Sequence, residues 1–339
     1  MSVAEPEEIW NALEQLRTGA VLSDVATSSG RAATTIKSWQ EKFGDISSLD
    51  ALRIAINPNE TRYVQIMNGL FEKFWDGKSS GFDWDREDIG KIADKLGIKV
   101  PKNLGDNIYS IRHGREDLPA EIQKSAPAGK AWLLLPNGKS RYRFVLAARA
   151  FLDPDTSKLP IKVPDSTPQI VARYAKGDEQ AVLARIRYCR LVDIFLGMAS
   201  FQLQSHKRTT IAHFNGAQTE LDEIYVGVNG VGAQFIIPIQ AKSRNERIGA
   251  VQIVTDHFVC AEQFPNMIPR NLAATTLEVE HIEGFGQIYT IALIEAATDA
   301  DYNVSKISEE HFKLVPASMI SDAELLSYRE RFHARAVSR

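Results

Sequence analysis

Apolar residues recur at helical spacing through the first third of the chain and at strand spacing through much of its second half. Residues 5–50 read as helical, and within them 22–43 (LSDVATSSGRAATTIKSWQEKF) hold two short helical patterns on either side of Gly30. Residues 61–78 form an amphipathic helical pattern with a glycine after it. Asp83 or Asp85 can cap a further helix through Leu96, stopped by Gly97, and Pro101 and Asn103 precede another through Arg112. Two β-rich runs around Asn137-Gly138 predict a hairpin over 131–149. Residues 153–168 hold four of the 14 prolines and read as a linker. Beyond them the pattern predicts a long helix from Asp178 to Leu196 ended by Gly197, then strands at 199–205, 208–214, 220–228 and 233–242. A helix over 247–264, strands near 267–275 and 287–294, and a basic, frayed tail complete the pattern.

The expected fold class is therefore α+β or α/β. A helical helix-turn-helix-like module (1–55) and a winged-helix-like module (56–152) precede the linker, and an α/β domain with a central mixed sheet fills 169–339. Ala26, Gly30 and Ile36 stand where a helix-turn-helix needs a small residue, a turn and a β-branched anchor. Thr34, Thr35, Lys37 and Ser38 then face outward, towards DNA; a small helical bundle fits the same spacing. Helix, turn, helix, hairpin is the order of a winged helix. The hairpin carries Lys139, Arg141, Arg143 and Arg149, either as a contact to DNA phosphates or as a solvated face.

Composition narrows this only a little. A net charge of −3 advertises no global basic field, so any polyanion must meet local basic clusters. Cys189 and Cys260 have no Cys or His partners at ligand spacing, which argues against a disulfide framework or zinc site and for a reducing cytoplasm. The start of the sequence lacks the apolar core of a signal peptide, and no apolar run approaches the roughly 20 residues of a membrane span.

The chemistry gathers around residues 236–244, IIPIQAKSR. Strand alternation puts Gln240 and Lys242 on one face of an otherwise apolar strand. A three-residue loop, Gly230-Val231-Gly232, joins this strand to 220–228, with Gly232 at the position that needs a positive φ. That loop pairs Asn229 with Ala233 and, down the hairpin, Asp222 with Gln240 and Glu220 with Lys242. Directly opposed side chains share a face, with Cβ atoms about 4.5–5.5 Å apart. A loop one residue shorter would scatter the four groups. Carboxylate and amide oxygens suit a hard cation such as Mg²⁺, and a nearby lysine can position water or stabilise charge on a phosphate. Glu223 points away from Asp222 in this register and reads as paired.

An acid on one strand of a hairpin and Gln240-Ala241-Lys242 on the next resembles the PD-(D/E)xK nuclease superfamily, in the Gln-x-Lys form of its Mrr-type branch. The wider stretch, from RYCRLVDIFLG through LDEIYVGV and IPIQAKSRNERIG to VQIVTDHFVCAEQFP, resembles restriction endonucleases over roughly residues 165–295. The superfamily's core order, α, β hairpin, β, α, β, is in keeping with the pattern. The resemblance implies a Mg²⁺-dependent endonuclease acting on double-stranded DNA and leaving 5′-phosphate ends. Asp222 and Gln240 would hold the metal with the Ala241 carbonyl, Lys242 would be the catalytic lysine, and Glu220 would be a further acid. Some members carry a glutamate on the helix before the sheet; Glu179 is the candidate, with Asp193 behind it, and Glu179 also suits its helix N-terminus electrostatically. The candidate acid departs from the superfamily's proline-aspartate pair: Leu221 precedes Asp222. Two active sites per duplex cut imply a homodimer, and a restriction role implies a DNA methyltransferase in the same system. Because Gln240 adds no charge, a DNA-binding regulator with an inactive nuclease-like domain stays open, as does a repair or modification-dependent nuclease.

His206, Lys207 and Arg208, read as a turn, are candidate phosphate contacts or a solvated turn. Ser243, Arg244 and Arg247 follow the lysine and are candidate DNA contacts or an exposed basic loop. Arg185, Arg187 and Arg190 read as a solvated helix face, Asp256-His257 as structural, and Trp75, Trp84 and Trp132 as core.

Overall fold

The computed structural model describes residues 6–46, 52, 62–100, 104–113, 116–175, 178–244 and 246–337. The expected caps at Pro101 and Asn103 and the end of the first module, near residue 55, lie outside them. The chain forms two compact units, Met1–Gly69 with Lys91–Lys102, and Leu70–Gly90 with Asn103–Arg339.

The first unit opens with helices α1 (Pro6–Arg17), α2 (Leu22–Ser29) and α3 (Ala33–Phe43). Gly30 ends α2 at φ +65° and donates its N–H to the carbonyls of Ala26 and Thr27. Ile36 is fully buried with Ala12 and Val25, and Ala26 and Trp39 pack at the margin of that cluster. Lys37, Thr34 and Ser38 are exposed and Thr35 is half-buried.

Helices α4 (Arg62–Phe74) and α5 (Asp88–Lys95) have residues in both units. The helix expected to reach residue 78 stops at Phe74, because the Asp76 carboxylate takes the N–H groups of Lys78 and Ser79 and turns the chain. Asp83 and Asp85 do not cap α5; they lie in strand β1 (Gly81–Asp85), and Asp88 accepts the N–H of Asp85 instead. Phe82 and Trp84 alternate with these acids, and Phe82 packs with Phe71, Trp132 and Phe144. After α6 (Leu104–Arg112) and α7 (Ala120–Ser125), the expected hairpin forms as β2 (Ala131–Pro136) and β3 (Arg141–Ala147). β1 adds to it in the order β1-β3-β2, all antiparallel.

The large sheet of the second unit runs β4-β11-β10-β9-β7-β6-β5, with a short β8 (Ile268–Pro269) beside β7. Strand β4 (Ile161–Pro164) lies in the proline-rich stretch expected to be a linker; it pairs in parallel with β11 (Val304–Val315) at the sheet edge. Helix α8 (Gln169–Tyr174) follows. The long helix expected over 178–196 is two, α9 (Glu179–Tyr188) and α10 (Leu191–Leu196), broken at Arg190 with φ +55°. The break lets Leu183 and Ile186 of α9 and Leu191 and Val192 of α10 all reach one apolar cluster with Tyr225, Ile237 and Ile239. Strand β5 (Ala199–Ile211) is continuous where a turn at 206–208 was expected, and pairs with β6 (Ala217–Val228). Strand β7 (Gln234–Lys242) returns antiparallel to β6. Helix α11 (Ala250–Gln263) crosses the opposite face from α9, so that β7 can pair in parallel with β9 (Asn271–Ile282). Ile253, Val254 and Cys260 of α11 pack with Ile224, Ile236 and, from the small sheet, Leu133 and Leu135. Strand β10 (Gly286–Thr298) precedes β11, a strand the sequence pattern missed. The tail expected to fray is helix α12 (Asp322–Val337), tied to β4 by Lys162–Glu324 at 2.7 Å and Tyr328 Oη at 3.1 Å from the Lys162 N–H. The chain is mixed α and β around a curled mixed sheet. Among the described residues no helix is long and apolar enough to cross a membrane.

Candidate functional site

The site begins with the loop between β6 and β7. Gly232 adopts φ +82°, the Asn229 N–H meets the Ala233 carbonyl at 3.2 Å, and the Asn229 side chain accepts the N–H groups of Val231 and Ala233. Every β6–β7 pair from Val228↔Gln234 to Glu223↔Ile239 obeys the register expected from this loop. The next position brings Asp222 opposite Gln240, but there the ladder stops. β7 continues beside β9 as far as Lys242, so β6 and β7 part at Asp222.

The Asp222 carboxylate fills the gap, with Oδ2 accepting the Ala241 N–H at 3.0 Å. In a strand the N–H and C=O of one residue point to the same side, so the Ala241 carbonyl is directed towards the same gap. Lys242, on the face shared with Gln240, is 2% exposed. On the β5 side, His206 has φ +48° and falls between the pairs Ser205↔Glu223 and Lys207↔Leu221, across from Asp222. Glu179 sits in the first turn of α9, beside the Asp178 N-cap. Burial pushes the Asp222 carboxyl up from its ordinary value. The Ala241 N–H, Lys242 and His206 oppose the rise, whereas the negative charge of Glu179 adds to it. Asp222, Lys242, Glu179 and His206 thus act electrostatically as one group.

Gln240 is oriented differently from expectation. Its side chain turns to α11, donating from Nε2 to Asp256 Oδ2 at 2.6 Å and accepting at Oε1 from Gln252 Nε2 at 2.7 Å. All three residues are buried. Burial holds the Asp256 carboxyl well above the carboxylate range and the charge of Asp222 adds to this, against the Gln240 bond and Lys242. Asp256 Oδ1 and Gln252 Oε1 are buried without a hydrogen-bond partner. Asp256 and Gln252 are the residues that sequence reasoning left out of the site. The signal was there: two polar residues one turn apart on a helix otherwise lined by Val251, Ile253 and Val254.

Glu220 was expected to face Lys242. Its carboxylate is instead taken by β5, through Arg208 Nε at 2.9 Å and His206 Nδ1 at 3.5 Å. The register that pairs Glu220 with Arg208 decides this, and it also corrects the reading of His206, Lys207 and Arg208 as a turn. Ser243 makes a tight turn, donating from N and Oγ to Glu246. Arg244 is exposed. Arg247 turns away to Asp117 at 3.1 Å and lies over the Phe151 ring. On the small sheet Arg141 and Arg143 pair with Asp85 and Asp83 at 3.1 Å each, while Lys139 is exposed at the hairpin turn. Asp193 is bound to Arg190 and to the Ser200 N–H, away from Asp222. Two arginines expected on a solvated face are not there. Arg185 is 3% exposed and stacks on Tyr289, and Arg187 pairs with Glu223, which is fully buried.

The Asp222 carboxylate and the Ala241 carbonyl at the gap, with the Glu179 charge within electrostatic reach of Asp222, are hard oxygen donors that suit Mg²⁺ in kind. A buried carboxyl whose proton affinity is raised by burial and by the charge of Glu179 is also what a bound cation would relieve. Gln240 does not fit such a set, since both ends of its amide are spent on α11. Among the described residues no three His, Cys, Asp or Glu side chains converge as a metal group. No family model, no curated protein and no solved structure matches the chain.

Proposed function

We propose that the chain is a Mg²⁺-dependent endonuclease of the PD-(D/E)xK type acting on double-stranded DNA, of restriction type and working as a homodimer. One observation carries this reading: Asp222, the Ala241 peptide and Lys242 meet in the gap where a two-strand hairpin opens, opposite a glutamate on the preceding helix. Asp222 and the Ala241 carbonyl would hold the metal, with Glu179 rather than Gln240 as the further donor. A bound Mg²⁺ would supply Lewis-acid polarisation of the scissile phosphate and an acidified water. Lys242, buried near Asp222, would orient the attacking water and stabilise charge developing on the phosphate. Asp256 would fix Gln240, and with it the end of β7 that carries Lys242.

The N-terminal units support the DNA reading by their order. α2, the turn at Gly30 and α3 follow a helix-turn-helix pattern with Lys37 outward. From α4 to β3 the order helix, strand, two helices, a short helix and hairpin, with β1 joined to β3, follows a winged helix. Lys139 and Lys207 remain phosphate contacts in this proposal; His206 and Arg208 must first leave Glu220, and Arg141, Arg143 and Arg247 their own carboxylates.

Purified protein incubated with supercoiled plasmid and Mg²⁺, beside Lys242→Ala, tests the proposal. Wild type is expected to linearise the plasmid and the variant to leave it intact; equal cutting removes Lys242 from the mechanism. Discrete bands indicate a fixed recognition sequence and a companion methyltransferase, and a smear indicates a repair or structure-directed nuclease. A second reading, a DNA-binding regulator that no longer cuts, is favoured by the capture of Gln240 by α11. Salt-dependent DNA binding without Mg²⁺-dependent nicking would select it.

A further inference from the structure

Arg112 ends α6, and its guanidinium makes no hydrogen bond or ion pair with any described residue, while Nε is buried. A helix C-terminus favours a cation there, but that offers no partner for five N–H donors. Burial accordingly pulls the guanidinium down from its ordinary value. A half-buried arginine whose Nε is shut from solvent and has no acid is costly, because desolvation is not returned by pairing. Such a group is retained where its partner arrives from outside.

Two cavities meet at this side chain. One, of about 560 Å³, lies between the β2–β3 turn and the end of the β5–β6 ladder, and carries Arg86, Lys139 and Ser140 opposite Thr210 and Gln218. Among the described residues no carboxylate lines it. Arg141, also on its wall, is neutralised by Asp85, whereas Arg86 and Lys139 have no described partner. The other, of about 710 Å³, runs from Tyr109 and His113 to Arg208 and Glu220, and Arg112 stands in its wall too. Glu220 there is already bound by Arg208.

We propose that Arg112 is the floor of a phosphate-binding site, with Arg86 and Lys139 at its rim and the hydroxyl and amide groups of Ser140, Thr210 and Gln218 around it. The guanidinium fork matches phosphate oxygens two at a time. The site lies along the same strand as the candidate active site: Gln218 and Asp222 are four residues apart on β6, about 13 Å at strand rise, roughly the axial span of four nucleotides of one DNA strand. A strand whose phosphate sits at Asp222 would therefore carry another to Arg112. This placement rests on the nuclease reading; the anion site itself does not.

The test uses the full chain and Arg112→Met, without divalent metal. For duplex DNA the variant is expected to bind about tenfold more weakly, with the slope of log K against log salt shallower by about 0.9. Inorganic phosphate at matched ionic strength should raise the melting temperature of wild type and not of the variant. A DNA effect assigns the site to duplex phosphate. A phosphate-dependent shift with unchanged DNA affinity assigns it to free phosphate. The absence of both effects overturns the proposal. Removing an unpaired, half-buried charge should leave the fold intact; if Arg112→Met does not fold, Arg112→Lys keeps the charge without the fork and should bind with intermediate affinity, wild-type affinity counting against the site. Wild-type protein that binds but never cuts would sink the nuclease reading alone, whereas cutting protein whose DNA affinity and phosphate-dependent melting shift are both unaltered in Arg112→Met would sink this inference alone.

Discussion

Replacing Asp256 by asparagine should make the protein progressively more stable than wild type as pH rises. Asp256 is 2% exposed; one oxygen takes the Gln240 amide at 2.6 Å and the other is buried with no partner. Ionising it in place strips a charge of water without giving it a directly bonded cation, so the native carboxyl stays protonated well above the usual range. In the unfolded chain it releases its proton near pH 3.9, about the ordinary value. Below that pH both states are protonated and the residue contributes no pH dependence. Above it the native state holds one proton more, and wild-type stability falls by about 1.36 kcal/mol per pH unit until the native carboxyl itself titrates. Asparagine preserves the volume and the acceptor for Gln240 but does not titrate. The difference in unfolding free energy, variant minus wild type, should therefore be flat at the acid end and climb with about that slope above it. Asp222 titrates in both proteins, and while Asp256 stays neutral its contribution cancels in the difference. Urea unfolding in chelator from about pH 4 to about pH 8 reads this directly. A difference that stays flat, or falls with pH, would refute the assignment of a protonated Asp256.

Gln240→Leu strands the Asp256 oxygen and the Gln252 amide together, and should cost about 1–3 kcal/mol for each group left unpaired, read by chemical unfolding. Glu223→Ala removes the acceptor of Arg187, Gln202 and Ser205; because the Arg187 side chain is 35% exposed and can regain water, the loss should fall at or below the low end of about 3–5 kcal/mol, and a double-mutant cycle with Arg187→Met isolates the pair. Gly232→Ala meets no atom, so its cost is the backbone at φ +82° alone, about 1–2 kcal/mol in unfolding free energy, with the β6–β7 register retained by NMR.

What was legible locally was legible because it depended on local rules. The Gly232 loop determines the β6–β7 register, and that register alone sets Asp222 across from Gln240. Gly30, Gly97 and Gly197 ended helices where the pattern placed them, all with positive φ. The failures came where a long-range partner overruled a local preference. Asp83 and Asp85 look like helix caps until β3 offers Arg143 and Arg141 across a sheet. His206-Lys207-Arg208 looks like a turn until β6 pairs along its whole length. The prolines of 153–168 look like a linker until β11 supplies an edge for residues 161–164.

The sequence by itself determined a mixed α and β chain, a hairpin with a specific register, and an acid set against Gln-x-Lys. These follow from alternation, apolar period and one glycine, which act within a few residues. Only the tertiary structure decided which groups each polar side chain meets. Gln240 was turned from the gap by two residues on a helix that packs over it, Glu220 was claimed by β5, and Glu179 was brought into the field of Asp222 from another element. The reason is physical: burial makes an unpaired polar group costly, so each takes the partner that packing delivers, and packing joins residues distant in the chain.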